Sequence, residues 1–356
     1  MPPPKPSGWW HSSSEGSSSR CLLECLGVLE KLRLLEKTKT IKTPCACNLM
    51  TKTIRQSHMF TVAGCGIRVE LPQDVAVETL LPSFGDFRGD PAEGTGALLT
   101  LSTTEGAPAP PSDGENLLDV AENDMGVTRL FRLPESGGYR ILLRCSPQGP
   151  EHTLLADPCF CRLRAHILWH DPYAGTALSS MLRIAFSQAI LLRDGISLHA
   201  AAVVWQHRAF LFMGKSGTGK STHARQWLHA FPGATLLNDD NPIVRLTAHG
   251  PVVWGSPWSG KTACYHNAVV PLGGIVRLVQ APENRFVPLA DVDALTAILP
   301  GCSVIPSDAA LARSLYASLS AVVDAVPVGR LLCRPDAGAA RVCAAGLGGG
   351  ERILED

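Results

Sequence analysis

Lysine is scarce over most of this 356-residue chain. Of nine lysines, six fall in residues 1–58, and the rest of the chain keeps only Lys215, Lys220 and Lys261. Arginine carries the remaining positive charge, so each surviving lysine marks a place where a compact ammonium is not replaceable by a planar guanidinium. Charged residues make up 18% of the chain and the formal net charge is zero, which gives no electrostatic footprint for a nucleic-acid partner. No uninterrupted apolar run reaches the roughly 18 residues that span a bilayer, so no membrane association is expected. The twelve cysteines include the C-x-C pairs Cys45/Cys47 and Cys159/Cys161, but no two metal half-sites match in spacing. With no secretory segment to favour disulfides, reduced thiols in a cytoplasmic protein are expected.

What is present divides the chain unevenly. Residues 1–20 are rich in Pro and Ser without periodicity and read as disordered. Residues 21–37 carry apolar side chains at helical spacing. Residues 1–58 hold nine Lys and Arg against four acids, whereas the remainder holds 23 against 28. This segment therefore reads as a low-complexity extension, as upstream sequence translated from an early start codon would be, with Met50 or Met59 the natural beginning. Residues 59–170 read as a small β-rich domain, with strands at "FTVAG", "IRVELP", "ALLTLS", "TRLFRLP", "YRILLRC" and "HTLLA". The loop 104–116 is too Pro-rich to be regular.

Residues 171–356 read as a nucleotide-binding domain. A buried helix over 177–195 is closed by Gly195, and "ISLHAAAVVW" and "AFLFMG" flank the turn Gln206-His207-Arg208. Two apolar runs this close form a hairpin, which makes the second strand antiparallel to its predecessor and the sheet mixed. The sequence Gly214-Lys215-Ser216-Gly217-Thr218-Gly219-Lys220-Ser221-Thr222 then fits G-x-x-x-x-G-K-[ST]. Glycines let successive backbone N–H groups aim at phosphate oxygens, and the following helix presents its unpaired N–H groups to the same anion. In that pattern Lys220 reaches the β- and γ-phosphates of ATP and Ser221 ligates Mg²⁺. Some 20 residues on, "TLLNDDN" puts Asp239 and Asp240 at the end of an apolar strand, where a carboxylate can hold Mg²⁺ or act as a base. His199 lies in the hairpin strand upstream; on its own it reads as a hydrogen-bonded core residue.

Taken together, "LHAAAV", "FLFMGKSGTGKST" and "LLNDD" resemble the superfamily that joins bacterial HPr kinase/phosphorylase and ATP-dependent phosphoenolpyruvate carboxykinase. The resemblance covers roughly residues 195–280. The segments "VVWGSPWSGK" and "VVPLGGIVRLVQAPENRF" look like stand-alone bacterial HPr kinase-like proteins, some of which accompany peptide-modification gene clusters. It implies an α/β fold with a mixed-sheet P-loop kinase core behind a small β-rich domain. It makes Lys220 and Ser221 the phosphate and Mg²⁺ residues, with Gly214 to Thr222 as the nucleotide cradle. Asp239 becomes a metal carboxylate held directly or through water, and Asp240 a general base or metal ligand. His199 then sits beside the reacting phosphate, and Lys261 clamps phosphate or acceptor.

The function this implies is transfer of the ATP γ-phosphoryl group to a hydroxyl, the serine of a protein or peptide, by a protein that can form homo-oligomers. A phosphoenolpyruvate carboxykinase-like enzyme and a non-catalytic ATP-binding module are the alternatives. The carboxykinases are larger and bring further lysines, of which this chain has few.

Overall fold

A computed structural model describes residues 54–92, 96–104, 108–123, 126–260 and 262–348. The readings made for residues 1–53 and for Lys261 lie outside the described residues. The fold is mixed α/β with two mixed sheets.

The first sheet has eight strands in the order β1-β2-β3-β8-β7-β6-β5-β4. They are β1 (Arg55–Val62), β2 (Cys65–Pro72), β3 (Ala97–Thr103), β4 (Asn116–Asn123), β5 (Gly126–Arg132), β6 (Tyr139–Arg144), β7 (His152–Ala156) and β8 (Arg162–His166). β2, β3 and β8 run parallel to one another, and the remaining neighbours are antiparallel. A short helix, α1 (Val77–Leu80), follows β2. The boundary expected at residue 58 falls inside β1, because Arg55 to His58 pair with Val69 to Pro72. Those four residues are polar and mostly exposed, so the strand is extended by backbone hydrogen bonds rather than by an apolar pattern.

Helix α2 (Ala174–Ala189) leads through a 3₁₀ turn (Ile190–Arg193) into the second sheet. The left-handed residue that closes this turn is Asp194, φ 57°, not Gly195. Gly195 is needed for a different reason: a Cβ there would lie 2.4 Å from Ile190. The helix and turn together, Ala174–Arg193, are long and apolar enough to cross a membrane, although the sequence shows no uninterrupted run of that length. About 67% of that stretch is buried inside the fold, as in a core helix.

The second sheet comprises β9 (Gly195–Ser197), β10 (Ala200–Trp205), β11 (Arg208–Met213), β12 (Thr235–Asn238), β13 (Ile243–Thr247), β14 (Gly250–Trp254), β15 (Val269–Gln280), β16 (Arg285–Leu289) and β17 (Val328–Cys333). β10 and β11 form the expected antiparallel hairpin, with a two-residue turn in which Gln206 and His207 both take positive φ. That is the handedness hairpin turns favour, here without glycine. β10 also pairs antiparallel with β12, and β11 pairs parallel with β15. Helix α3 (Lys220–Ala230) follows β11, and α4 (Asp291–Ile298), α5 (Ala309–Ala325) and α6 (Ala337–Gly346) complete the fold.

Alternation along β10 and β11 sends side chains into two cores. Ala200, Ala202, Leu211 and Met213 join a core that runs from Phe60 through α2 to Val328 and includes residues of both sheets. The expected division near residue 170 therefore separates two sheets but not two cores. Val203, Trp205, Phe210 and Phe212 face the other way, into a cluster with Trp227 of α3 and Cys343 of α6. Trp227 is fully buried, with ring centroids 5.0 Å from Phe210 and 5.2 Å from Phe212. This aromatic cluster locks α3 against the sheet and so fixes the loop before it.

Candidate functional site

Three strand ends meet at one end of the second sheet. Ala200, the first residue of β10, is opposite Met213, the last of β11. Ala202 is opposite Asn238, the last residue of β12. Strand pairing thus places His199, the loop starting at Gly214, and Asp239–Asp240 side by side, although they are spread over some 40 residues of sequence.

The loop between Met213 and Lys220 owes its shape to its glycines. Gly217 and Gly219 take φ 78° and 106°, where side chains other than glycine's are disfavoured. Gly219 is the residue capping α3, so the helix opens directly out of a left-handed turn. A Cβ on Gly214 would lie 3.0 Å from Thr218, which the loop folds back against it. Gln280, at the end of β15, donates to the carbonyls of Gly217 and Thr218, each at 3.4 Å. Lys215 and Ser216 form the exposed tip; Ser221 and Thr222 are partly buried in the first turn of α3.

Lys220 turns inward and is almost buried. Its Nζ donates to the Gly214 carbonyl at 3.2 Å and lies 2.8 Å from His199 Nε2. Burial lowers its pKa from the ordinary lysine value, Asp240 and Asp239 act against that, and Arg277 adds to it. On the other side of the imidazole, His199 Nδ1 lies 2.8 Å from Asp240 Oδ1. Asp240 Oδ2 also accepts from Asn241 Nδ2 at 2.8 Å. Burial pushes the Asp240 carboxyl up, but the hydrogen bond and charge of His199, the Asn241 amide and the charge of Arg183 outweigh it and hold it below its ordinary value. The result is a continuous chain, Lys220–His199–Asp240. With Asp240 ionised, Nδ1 carries the imidazole proton and Nε2 accepts from the ammonium.

The turn after β12 is built by Asn238, fully buried. Its Oδ1 accepts the backbone N–H groups of Asp240 and Asn241, and its Nδ2 donates to the carbonyls of Ser256 and Trp258. Asp239 is buried, with Oδ2 accepting the Thr262 N–H at 3.1 Å. Gly260 passes so close that a Cβ there would lie 3.3 Å from this oxygen. Asn238, Asn241 and Arg183 were not singled out by the sequence reading. An Asn at a strand end before a polar turn is the one cue that points to the first of them.

Among the described residues no three His, Cys, Asp or Glu side chains converge into a metal cluster, and the cysteines there are free thiols. A cavity of about 450 Å³ adjoins the loop, lined by Thr222, His223, Gln226, Leu278 and Cys333. His223 is structural: its Nε2 accepts from Trp227 Nε1 at 3.1 Å, and burial holds its pKa down at about 4. A recess of about 600 Å³ lies elsewhere, beside Arg132 and Asp308, which pair with each other. In comparisons with family models and with curated proteins, nothing matches this chain.

Proposed function

We propose that this protein is an ATP-dependent phosphotransferase, and that the Gly214–Gly219 turn with Lys220 and Ser221 is its phosphate-binding loop. The observation that carries the reading is the Lys220–His199–Asp240 chain at the mouth of a left-handed glycine turn that opens a helix. A helix start of this kind attracts anions through its unpaired N–H groups and dipole. Lys220 spends two of its three N–H donors on Gly214 and His199, which leaves one for a phosphate oxygen. A Cβ on Gly217 would meet nothing within 4 Å, so the glycine here serves backbone conformation and leaves the cradle open.

Mg²⁺ fits the same residues. A magnesium ion carried on substrate phosphates needs only one or two protein oxygens, so a three-carboxylate cage is not required. Ser221 and Asp239 would hold it, and Asp239 still has an oxygen that accepts no hydrogen bond from the described residues. Its chemistry there is to offset phosphate charge.

Asp240 accepts two hydrogen bonds and has two further lone-pair sites. Its depressed pKa keeps it ionised at neutral pH, so its unspent lone pairs are the proton acceptor, with His199 and Asn241 holding the carboxylate in place. The acceptor's hydroxyl oxygen bonds to the γ-phosphorus, the bond from phosphorus to the bridging oxygen breaks, and that electron pair stays on ADP. The hydroxyl proton passes to the Asp240 carboxylate. The acceptor we propose is a serine of a protein or peptide. Incubation of the full chain with Mg²⁺, γ-labelled ATP and a serine-peptide library tests the reading. Label on serine supports it; nucleotide binding with no transfer to any hydroxyl reduces the protein to a nucleotide-binding module.

A further inference from the structure

The cavity of about 450 Å³ beside the glycine loop has no part in the chemistry above. Its floor is sheet: Leu278 and Gln280, two apart on β15, share a face, and Cys333 at the end of β17 lies opposite Gln280. Its wall is helix, where Thr222 and Gln226, four apart on α3, also share a face. Gly217, Thr218 and Gly219 close the end nearest the loop. Gln280 ties cavity to loop, since its amide donates to the carbonyls of Gly217 and Thr218.

Lys220, His199, Asp239 and Asp240 do not line this space. It therefore adjoins the loop without touching the groups proposed to move the phosphoryl, and it suits the part of a nucleotide that does not react. Its chemistry is not that of a further phosphate site. Arg334, the one guanidinium or ammonium in the lining, is paired with Asp336 at 3.0 Å. His223 is neutral, with Nε2 accepting from Trp227. Leu278, Ala281 and Pro335 are apolar, whereas the Gln226 amide and the Thr222 hydroxyl bond to no described residue. Apolar surface beside a free donor and acceptor fits a flat heterocycle with a polar edge.

Resting on the phosphotransferase reading, we infer that this cavity holds the nucleoside of the triphosphate and that Gln226 recognises its base as adenine. A glutamine amide both donates and accepts, which matches the N6 donor and N7 acceptor side by side on adenine. Guanine offers two acceptors on that edge and leaves the amide carbonyl without a partner. Gln226 follows Lys220 by six residues, about 9 Å along the helix axis, so it addresses the end of the molecule remote from the γ-phosphate.

The test uses the full-length protein with Mg²⁺ and three probes, ATP, GTP and inorganic triphosphate, titrated by calorimetry. The wild type should bind ATP roughly 10- to 100-fold more tightly than triphosphate, and at least about fivefold more tightly than GTP. In Ala281→Trp an indole fills the cavity from a partly exposed position, and the ATP advantage over triphosphate should fall to about 1. In Gln226→Leu, ATP and GTP should bind alike. Cys333 is a free thiol, and its alkylation in the wild type, read by mass spectrometry, should be slowed by ATP but not by triphosphate. Thermal melting shows whether each variant keeps its fold, and the Cys333 readout carries the test if a variant unfolds. Equal binding of ATP and triphosphate, an ATP advantage that survives in folded Ala281→Trp, or Cys333 alkylation unchanged by ATP overturns the inference alone. ATP bound no more tightly than GTP, or a preference that survives in Gln226→Leu, overturns the role of Gln226. Failure of the wild type to bind any of the three probes overturns the underlying reading as well.

Discussion

Replacing Asp240 by Asn separates proton transfer from nucleotide binding. The carboxylate accepts from two donors, His199 Nδ1 on one oxygen and Asn241 Nδ2 on the other. An amide has one acceptor oxygen, so Asp240→Asn must face one of these partners with its own NH₂ group. If it faces His199, the imidazole proton is driven to Nε2, which then meets the Lys220 ammonium donor to donor. If it faces Asn241, that amide must turn and disturb the hydrogen bond between its Oδ1 and Ser197 Oγ. Either arrangement leaves one hydrogen bond unmade, at a stability cost of about 1–3 kcal/mol. The catalytic loss is larger, because the variant has lost its charge and basicity: phosphotransfer should fall by roughly 10²- to 10⁴-fold. On the proposed reading the nucleotide is held by Lys220 and the loop rather than by Asp240, so Mg·ATP affinity should change by less than about threefold, under 1 kcal/mol. Calorimetric titration and single-turnover transfer, run on wild type, Asp240→Asn and Asp239→Asn, read these separately. Asp239→Asn should shift the Mg²⁺ requirement first. Turnover that survives intact in Asp240→Asn would refute the mechanism.

Three further outcomes follow from the geometry. Gly219→Ala should weaken Mg·ATP binding and destabilise the fold by about 1–3 kcal/mol, because a Cβ there has room but φ 106° strains the backbone; denaturant titration at wild-type stability would speak against that loop shape. A chain starting at Met59 should melt at lower temperature than one starting at Thr53, since it loses the Arg55–His58 half of β1; equal melting would show that this pairing contributes nothing. Asp308 provides a pH signature away from the site: burial pushes its carboxyl up, but Tyr139, Arg132 and two helix N–H groups hold it down at about 2. A depressed carboxyl stabilises the fold above its unfolded value of about 4 and loses that contribution as pH falls through the folded value. Asp308→Asn should therefore flatten the stability decline between about pH 4 and 2 measured by chemical denaturation, and an unchanged slope would show the pairing to be inert.

The parts of the fold legible in the sequence are those with strong local grammar. The β10–β11 hairpin, the helix after the glycine run and the strand before Asp239 all follow from apolar runs broken by turn residues. β4 was missed because it is an edge strand with Leu117 and Val120 about half exposed, so no alternation marks a buried face. β16 contains Pro288, which argues against a strand unless it lies at an edge, as here. The start of β1 was hidden because its first residues are polar and pair only through the backbone. For the candidate site, the sequence named Lys220, His199 and Asp240 but not their order, since which atom faces which depends on the register of β10 with β11 and β12. Arg183 was invisible for another reason: 37 residues before Lys220, on a helix whose apolar pattern reads as core, nothing local sets it apart from any other helix arginine.

Titration of the full-length protein with Mg·ATP, beside Lys220→Ala and Lys220→Arg, bears most directly on the proposal that the loop holds a nucleoside triphosphate. The wild type should bind saturably, and Lys220→Ala should lose at least about tenfold in affinity, or 1.4 kcal/mol. Lys220→Arg should not restore it, because a planar fork replaces a point charge in the tight space between Gly214 O and His199 Nε2. No binding by the wild type, or equal binding by all three proteins, would contradict the account.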